Sequence, residues 1–424
     1  MSNDERFAVP LSEQVLVGDF GVDNDVVEGP VSDFATDFDH TDPTWVADPY
    51  PIWDDLRTRC PVAHTDRYGG GWLPTRHEDV AAVAYDTERF TSRSVVMGNH
   101  RPPLDLAPAG IAPPISSDPP FHNDARRILL PAFAPAAVQR LEAGTAAFCD
   151  LLLDQLEGQD VVDAAVDYAQ HIPVRVIADM LGFPQEDAEM FRGFVHDVLE
   201  GINEPLETRF ENLQGVFTYL WEQIQDHVDN PRDDLTSFLI NAEMNGTKLD
   251  PIHIAGTMAL LLLAGIDTTW SAIGSSIWHL AGHSADRERL VAEPELLPTA
   301  MEEFLRAYAP VTMARLVKQD MEWNGCPMQA EDWILLSFPS ANRDPDVFDR
   351  ADEVIIDREV NRHAAFGLGV HRCVGSNLAR MEVRVALERW MARYPDFSLA
   401  DPAAVTWSSG QVRGPRCLPV TVSG

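Results

Sequence analysis

The 424-residue sequence is poor in positive charge: 32 Lys and Arg stand against 67 Asp and Glu, a formal net charge of −35. That deficit excludes nucleic-acid binding, which needs basic surface to displace condensed counterions. It also excludes docking on anionic lipid. It favours solubility and monomeric behaviour and says nothing of the fold. Long apolar runs are missing as well. The longest, Met258 to Ile266, is broken by Gly265 and ended by Asp267, far short of the roughly 20 residues of a membrane-spanning helix. The first ten residues hold neither a basic region nor an apolar stretch, so no secretory leader and a cytoplasmic location are expected. Cysteines are few, odd in number and scattered: Cys60, Cys149, Cys326, Cys373 and Cys417. With no C-x-x-C pair, a disulfide framework, a zinc ribbon and a ligated iron–sulfur cluster are all excluded.

What remains is 45% apolar and 23% charged, the composition of an ordinary packed protein. The first 50 residues carry 12 acidic side chains and one Arg, without clear periodicity. Residues 1–40 read as an acidic, partly ordered N-terminal arm, with a partner-docking tail as the alternative; residues 41–424 read as one domain. Tyr50 to Arg59 and His77 to Asp86 have helical patterns, and Val62 to Thr65 and Gly71 to Thr75 read as strands. Residues 91–120 hold seven prolines and no sustained period. A loop of this length in a compact domain is functional or mobile. Its Met97, Leu104, Leu106, Ile111 and Ile115 are candidates to line a pocket, with a plain surface loop as the alternative.

Helical pattern dominates from Pro119 to Tyr308. Asp250-Pro251 starts the longest helix, which runs to about Ala281 and spans roughly 45 Å. It is apolar on nearly every face and should cross the interior. Leu316 to Val317, Met321 to Trp323 and Trp333 to Phe338 read as strands. A last amphipathic helix, Ser376 to Arg393, precedes a hairpin from Trp407 to Val422. The fold class is mainly α with a smaller β part (α+β).

Four segments carry chemistry. The sharpest is Phe366-Gly-Leu-Gly-Val-His-Arg-Cys373-Val-Gly375, just before the last long helix. Its glycines allow a tight turn, and a Cys at a helix N-terminus has its thiolate favoured. It fails as a dinucleotide loop, because Arg372 stands where G-x-G-x-x-G needs its third glycine. The second is Ala264-Gly265-Ile266-Asp267-Thr268-Thr269, in the middle of the apolar helix. An acid there is expensive unless it works or is paired. The structural alternative is Asp267 pairing with an Arg and Thr268 bending the helix. The third is Glu303 and Arg306, three apart on one helix face. The fourth is His122 with Arg126, four apart on another.

The Cys373 segment resembles the haem-binding loop of the cytochrome P-450 (haem-thiolate) family, F-G-x-G-x-H-x-C-x-G, at every fixed position. All four segments stand in that family's order, over roughly residues 45–424. The resemblance implies b-type haem held between the long central helix and the Cys loop. It makes Cys373 the axial iron ligand, a thiolate that favours O–O cleavage. It places Phe366, Ala264 and Gly265 against the cofactor, and His122, Arg126, Arg315 and His371 on the haem propionates. Met313 departs from the pattern, standing where a propionate-contacting Asp can occur. Thr268 would hydrogen-bond dioxygen and Asp267 would relay protons to it. Glu303, Arg306 and Arg343 would form a structural charged network.

The implied activity is a monooxygenase that inserts one oxygen atom into a modest hydrophobic organic substrate, by hydroxylation or oxidative dealkylation. The pocket would be lined by the 91–117 loop, Leu260, Leu263, Ala264, Val311, Thr312 and the turn near Gln411. Without a flavin or iron–sulfur motif, electrons would come from a separate ferredoxin and its reductase. Arg127, Arg372, Arg380 and Arg384 are expected to form a basic island that steers this acidic partner. A peroxide-driven oxygenase, an isomerase and a non-enzymatic haem sensor are the competing readings.

Overall fold

The spine of the computed structural model is the expected apolar helix. It extends from Pro251 to Gly282. Asp250 caps it, accepting from the His253 N–H at 2.7 Å, and Pro251 takes the first helical position, where its missing N–H costs nothing. The structure describes residues 5–7, 29–102, 104, 107–201, 204 and 206–423. In chain order the helices used below are α1 (Tyr50–Arg59), α2 (His77–Tyr85), α3 (Phe121–Leu129), α4 (Glu142–Gln155), α5 (His171–Leu181), α6 (Ala188–Val195), α7 (Leu206–Asp229), α8 (Leu235–Asn241), α9 (Pro251–Gly282), α10 (Leu297–Ala307) and α11 (Ser376–Arg393). The strands are β1 (Val62–Thr65), β2 (Gly71–Pro74), β3 (Phe90–Thr91), β4 (Val161–Asp163), β5 (Thr312–Val317), β6 (Trp333–Ser337), β7 (Asp396–Leu399), β8 (Thr406–Trp407), β9 (Pro415–Cys417) and β10 (Pro419–Ser423).

Helix α9 packs along α5 and α11, with α7 and α8 beside it. Their apolar faces form one large core that includes Ile177, Ile266 and Ile273. Helix α9 is long and apolar enough to cross a membrane, yet 67% of its most apolar stretch is buried inside the body. It is a core helix, not a lipid-facing one.

The main sheet has the order β1–β2–β6–β5–β3. Its central strand β6 is buried along its whole length, because both faces are covered. Trp333 and Leu335 join a core with Trp53, Leu56 and Leu73. Ile334 and Leu336 point the other way, into a core with Val80 and Phe90, as the period of two requires. Strand β5 starts at Thr312, earlier than its apolar end suggests, and pairs so that Arg315 faces Ile334 across the ladder. The C-terminal tail is more than one hairpin. β8 and β9 pair with each other, while β10 joins β7 and β4 in a separate sheet.

Residues 29–40, grouped by composition with the acidic arm, pack onto the body. Phe38 is fully buried beside Trp45 and Trp53. Arg67 donates to Asp37 at 2.7 Å and to the Gly29 carbonyl at 2.9 Å. Residues 5–7 lie against α7 and α8: Phe7 sits 6.3 Å from the Trp221 ring, and Arg6 donates to the Ile240 carbonyl at 3.1 Å. The rest of the arm, and Leu106 of the 91–117 loop, lie outside the described residues.

Candidate active site

The Cys loop is built by two left-handed glycines. Gly367 and Gly369 have φ of 72° and 69°, which glycine adopts without steric cost. A Cβ on Gly369 would lie 2.2 Å from the Ala84 carbonyl oxygen of α2, so the close approach also demands glycine. The loop closes with Cys373 N–H donating to the Phe366 carbonyl at 2.7 Å. This sets Cys373 three residues before α11. Burial raises the thiol pKa, while the Gly375 N–H bonded to it and the Arg126, Arg380 and Arg372 cations pull the other way. Such donors favour a thiolate.

Around Cys373 the fold collects two arginines, two histidines that burial keeps neutral, and almost no acid. On α3, the His122 ring lies 4.3 Å from the His371 ring, and Arg126 Nη2 donates to the Arg372 carbonyl at 2.5 Å. Arg315 arrives from β5, buried, bonded to its neighbour Ala314's carbonyl at 2.6 Å. Burial pulls Arg315 down to about 10, against only a weak pull from Asp118. His371 is pulled down to about 2 by burial first, then by Arg315, His122 and Arg126. His122 Nδ1 bonds Asn123 Oδ1 at 3.0 Å, and its buried Nε2 has no hydrogen-bond partner. An unpaired buried polar group costs roughly 1–3 kcal/mol or more. These four residues, expected from three separate segments, are brought together by the fold in a setting suited to an anion. Two supporting residues escaped the sequence reading. Ser92 Oγ lies 2.9 Å from His371 Nε2, and Asp118 holds Ser92 N–H at 2.9 Å. Neither sits in a motif.

The motif on α9 divides its residues between two faces. Ala264 is exposed although the helix is core on most sides, and Thr268 Oγ1 donates back to its carbonyl at 2.8 Å. Gly265 turns the other way. Its Cβ would lie 2.6 Å from Ile177 Cδ1, so this glycine lets α5 pack close. Asp267 is fully buried and paired: Arg416 Nη2 donates to Oδ1 at 2.6 Å, while Oδ2 has no partner. Arg416 comes from β9 and also donates to Glu200 Oε1 at 2.6 Å. Burial raises Asp267 to about 6, with Arg416 restraining the rise.

Two expectations are corrected here. The third member of the Glu303 network is Arg358, not Arg343. Arg306 binds Glu303 through two bonds of 2.8 Å, and Arg358 Nε donates to Glu303 Oε2 at 2.9 Å. Arg343 instead lies 4.4 Å over the Tyr50 ring and donates to the Asp352 carbonyl at 3.1 Å. The basic island is largely neutralised. Arg380 pairs with Glu302 at 2.5 Å, Arg384 with Glu142 at 2.8 Å and Arg127 with Asp124 at 3.0 Å. Of the four, Arg372 alone is exposed with no acid partner among the described residues.

The pocket wall changes in one part. Met97 does not line it: the side chain is fully buried under Gly71, in the core with Trp53 and Leu73. Gln411 is a pin, its amide bonding the carbonyls of Val95 at 3.1 Å and Thr312 at 2.8 Å.

The sequence profile of the family described as "Cytochrome P450" matches residues 171–398, more than half of the chain. The chain belongs to the cytochrome P450 family. It is a haem-thiolate oxidoreductase of the monooxygenase type. This P450 is 31% identical over 392 residues to "Polyketide biosynthesis cytochrome P450 PksS" of Bacillus subtilis, covering 88% of this chain and 96% of that one. It is 37% identical over 377 residues to "Nocardicin C N-oxygenase" of Nocardia uniformis, covering 86% and 92%. The solved structure of PksS superposes with a TM-score of 0.83 at 30% identity, over 91% of this chain and all of that one. The myxobacterial P450 CYP267B1, solved with myristic acid, gives 0.82 at 28% identity, over 91% of this chain and 98% of that one.

Membership in the P450 family implies haem, and the residues present fit it. A thiol at a helix start supplies an iron ligand. The orphaned His122 Nε2 and the acid-poor Arg126, Arg315 and His371 supply what two carboxylates would need.

Proposed function

We propose that this P450 binds b-type haem and takes electrons singly from a separate ferredoxin with its reductase. It inserts one atom of dioxygen into a modest hydrophobic organic substrate in the cytoplasm, by hydroxylation or oxidative dealkylation. The observation that carries the reading is the cluster at Cys373: a thiol just before α11, with Arg126, Arg315, His122 and His371 gathered beside it and almost no carboxylate among them. Haem, when bound, supplies the activation of dioxygen. Cys373 would ligate it, its thiolate steadied by the Gly375 N–H. His122, Arg126, Arg315 and His371 would orient it through its propionates, with His371 held in place by Ser92. Phe366 and Ala264 would lie against its faces.

The protein's own chemistry is the control of protons and water. Thr268 holds a proton at Oγ1, directed at the Ala264 carbonyl. Rotating the hydroxyl hydrogen turns that proton toward a reacting oxygen. Asp267, held at about 6, exchanges protons near neutral pH, the range in which general acid–base groups work best. Its unpartnered Oδ2 is the atom through which it would pass them on. The pocket wall would be Leu260, Leu263, Ala264, Val311, Thr312 and the described part of the 91–117 loop other than Met97. It is mostly apolar, and it selects substrates by burying their apolar surface.

The test is a reduced carbon-monoxide spectrum of the haem-loaded protein. A strongly red-shifted Soret band, abolished in Cys373→Ser, is expected. Reconstitution with a ferredoxin and its reductase should then give substrate-triggered oxygen consumption with product. A protein that forms product with peroxide but not with electrons and oxygen would be a peroxide-driven oxygenase. One that consumes no oxygen and forms no product would be a sensor.

A further inference from the structure

This chain has more than twice as many acids as bases, and its buried arginines are well served. Arg57, Arg67, Arg93, Arg287, Arg306 and Arg358 each reach a carboxylate. Arg126 and Arg315 belong to the cluster around Cys373. Arg209, on α7, falls in neither group. It is half-buried and makes no hydrogen bond or ion pair with any described residue. Its neighbours along the helix offer none: Leu206, Asn212 and Leu213 stand three and four positions away, and none is acidic. Burial holds its guanidinium below the ordinary arginine value with no carboxylate to offset the effect. A cation placed this way is costly unless an anion arrives to meet it.

The place matters as much as the missing partner. Arg209 Nη1 lies 3.6 Å from where a Cβ on Gly98 would stand, so α7 sets its cation against the first third of the 91–117 loop. That loop is tied at one side to β5, through the Ala314 N–H bond to the Val95 carbonyl at 2.9 Å. On the other it rests on α9. Ile111's carbonyl oxygen sits 2.2 Å from a Cβ placed on Gly256, and Thr257 Oγ1 donates to the Pro113 carbonyl at 3.1 Å. The loop therefore bridges from Arg315's strand to the helix of Asp267 and Thr268, and Arg209 meets it at Gly98.

We propose that Arg209 anchors a carboxylate of the substrate at the rim of the pocket. The substrates of this P450 are then amphiphilic acids, with the anionic end at Arg209 and the apolar body reaching inward along the loop toward α9. The proposal rests on the monooxygenase reading, because it takes the loop as a pocket wall.

The experiment uses the haem-loaded full chain and follows the Soret band for the spin-state change on binding. The probes are straight-chain acids from octanoic to hexadecanoic acid and their methyl esters. Acids should bind about tenfold to hundredfold more tightly than their esters, the worth of a charged hydrogen-bonded pair. Arg209→Gln should abolish that preference and leave ester binding within about twofold, and Arg209→Lys should keep part of it. The carbon-monoxide spectrum of each variant reports whether it is folded and loaded. The proposal is overturned if wild type binds acids and esters alike, if Arg209→Gln keeps the preference, or if no acid shifts the band in a protein with a thiolate spectrum. A wild-type protein without that spectrum overturns the monooxygenase reading itself, and this proposal with it.

Discussion

Arg416, near the end of the chain, holds Asp267 in the middle of α9 through a 2.6 Å ion pair. The same guanidinium binds Glu200 and lies 4.2 Å over the Trp270 ring. A fully buried carboxylate is thus kept partly charged by one arginine, while burial lifts its pKa to about 6. Arg416→Gln removes the main restraint, so the pKa should climb further, by about 1–3 units. The pH profile of product formed per electron should move to more alkaline pH. Stability has a definite sign too. A carboxyl whose folded pKa lies above its unfolded value destabilises the fold as pH rises through that window. Arg416→Gln should therefore lose more melting temperature at pH 8 than at pH 5. Superimposable pH profiles for the two proteins would contradict the role given to Arg416.

Thr268 spends its hydroxyl proton on the Ala264 carbonyl at rest. Thr268→Ala should leave electron and oxygen consumption running while product per electron falls by about tenfold or more. Peroxide should appear in its place, and Thr268→Ser should restore most of the yield. Assays of product and peroxide against electrons consumed decide it. Full coupling in Thr268→Ala would favour a reaction that needs no dioxygen.

The charged network around Glu303 gives a prediction by contrast. Glu303 and Arg306 are fully buried, and Arg358 completes them. Arg358→Ala removes one partner of a buried carboxylate and should cost about 3–5 kcal/mol. Arg343→Ala loses a cation–ring contact and one exposed carbonyl bond, and should cost about 1 kcal/mol. Chemical denaturation of the two variants side by side checks the order.

How much of this was legible in the sequence depends on how local each signal was. Asp250-Pro251 and the apolar stretch after it specify α9 to within a residue or so, because capping and burial are written in adjacent positions. The Cys loop is legible for the same reason. Arg343 and Arg358 were not separable. Both follow α10 in a charged stretch, and only the folded path decides which one reaches Glu303. Arg416 was out of reach, since 149 positions separate it from Asp267. The basic island misled because the sequence shows the arginines in a cluster but not Glu302, Glu142 and Asp124 folding onto them.

That correction changes which charge reversal informs on electron entry. Arg372 is exposed beside Cys373, while Arg380 is tied to Glu302 and stacks 4.3 Å over Phe366. Arg372→Glu should slow reduction by an acidic ferredoxin several-fold at low salt, with the difference fading at high salt as charges are screened. Stopped-flow reduction across a salt series measures this. Arg380→Glu should act mainly on stability, by placing a second acid against Glu302. Equal reduction rates for Arg372→Glu and wild type at low salt would remove Arg372 from the docking surface.

The hairpin that delivers Arg416 offers an independent way to reach Asp267. β9 rests on α9 through two glycines. A Cβ on Gly274 would lie 2.7 Å from Pro415 Cγ, and one on Gly414 would lie 2.2–2.5 Å from three atoms of Ser271, its Cα included. The second clash involves backbone and cannot be relieved by a side-chain rotation. Gly414→Ala must therefore push the β8–β9 hairpin away from α9, at a cost of about 1–3 kcal/mol, and carry Arg416 with it. The variant should show the same alkaline displacement of the pH profile as Arg416→Gln, although residue 414 carries no charge. The double variant should shift little further than either single one, because both act on one ion pair and residues in one network are not additive. Fully additive shifts would mean that the hairpin and Asp267 are not coupled through Arg416.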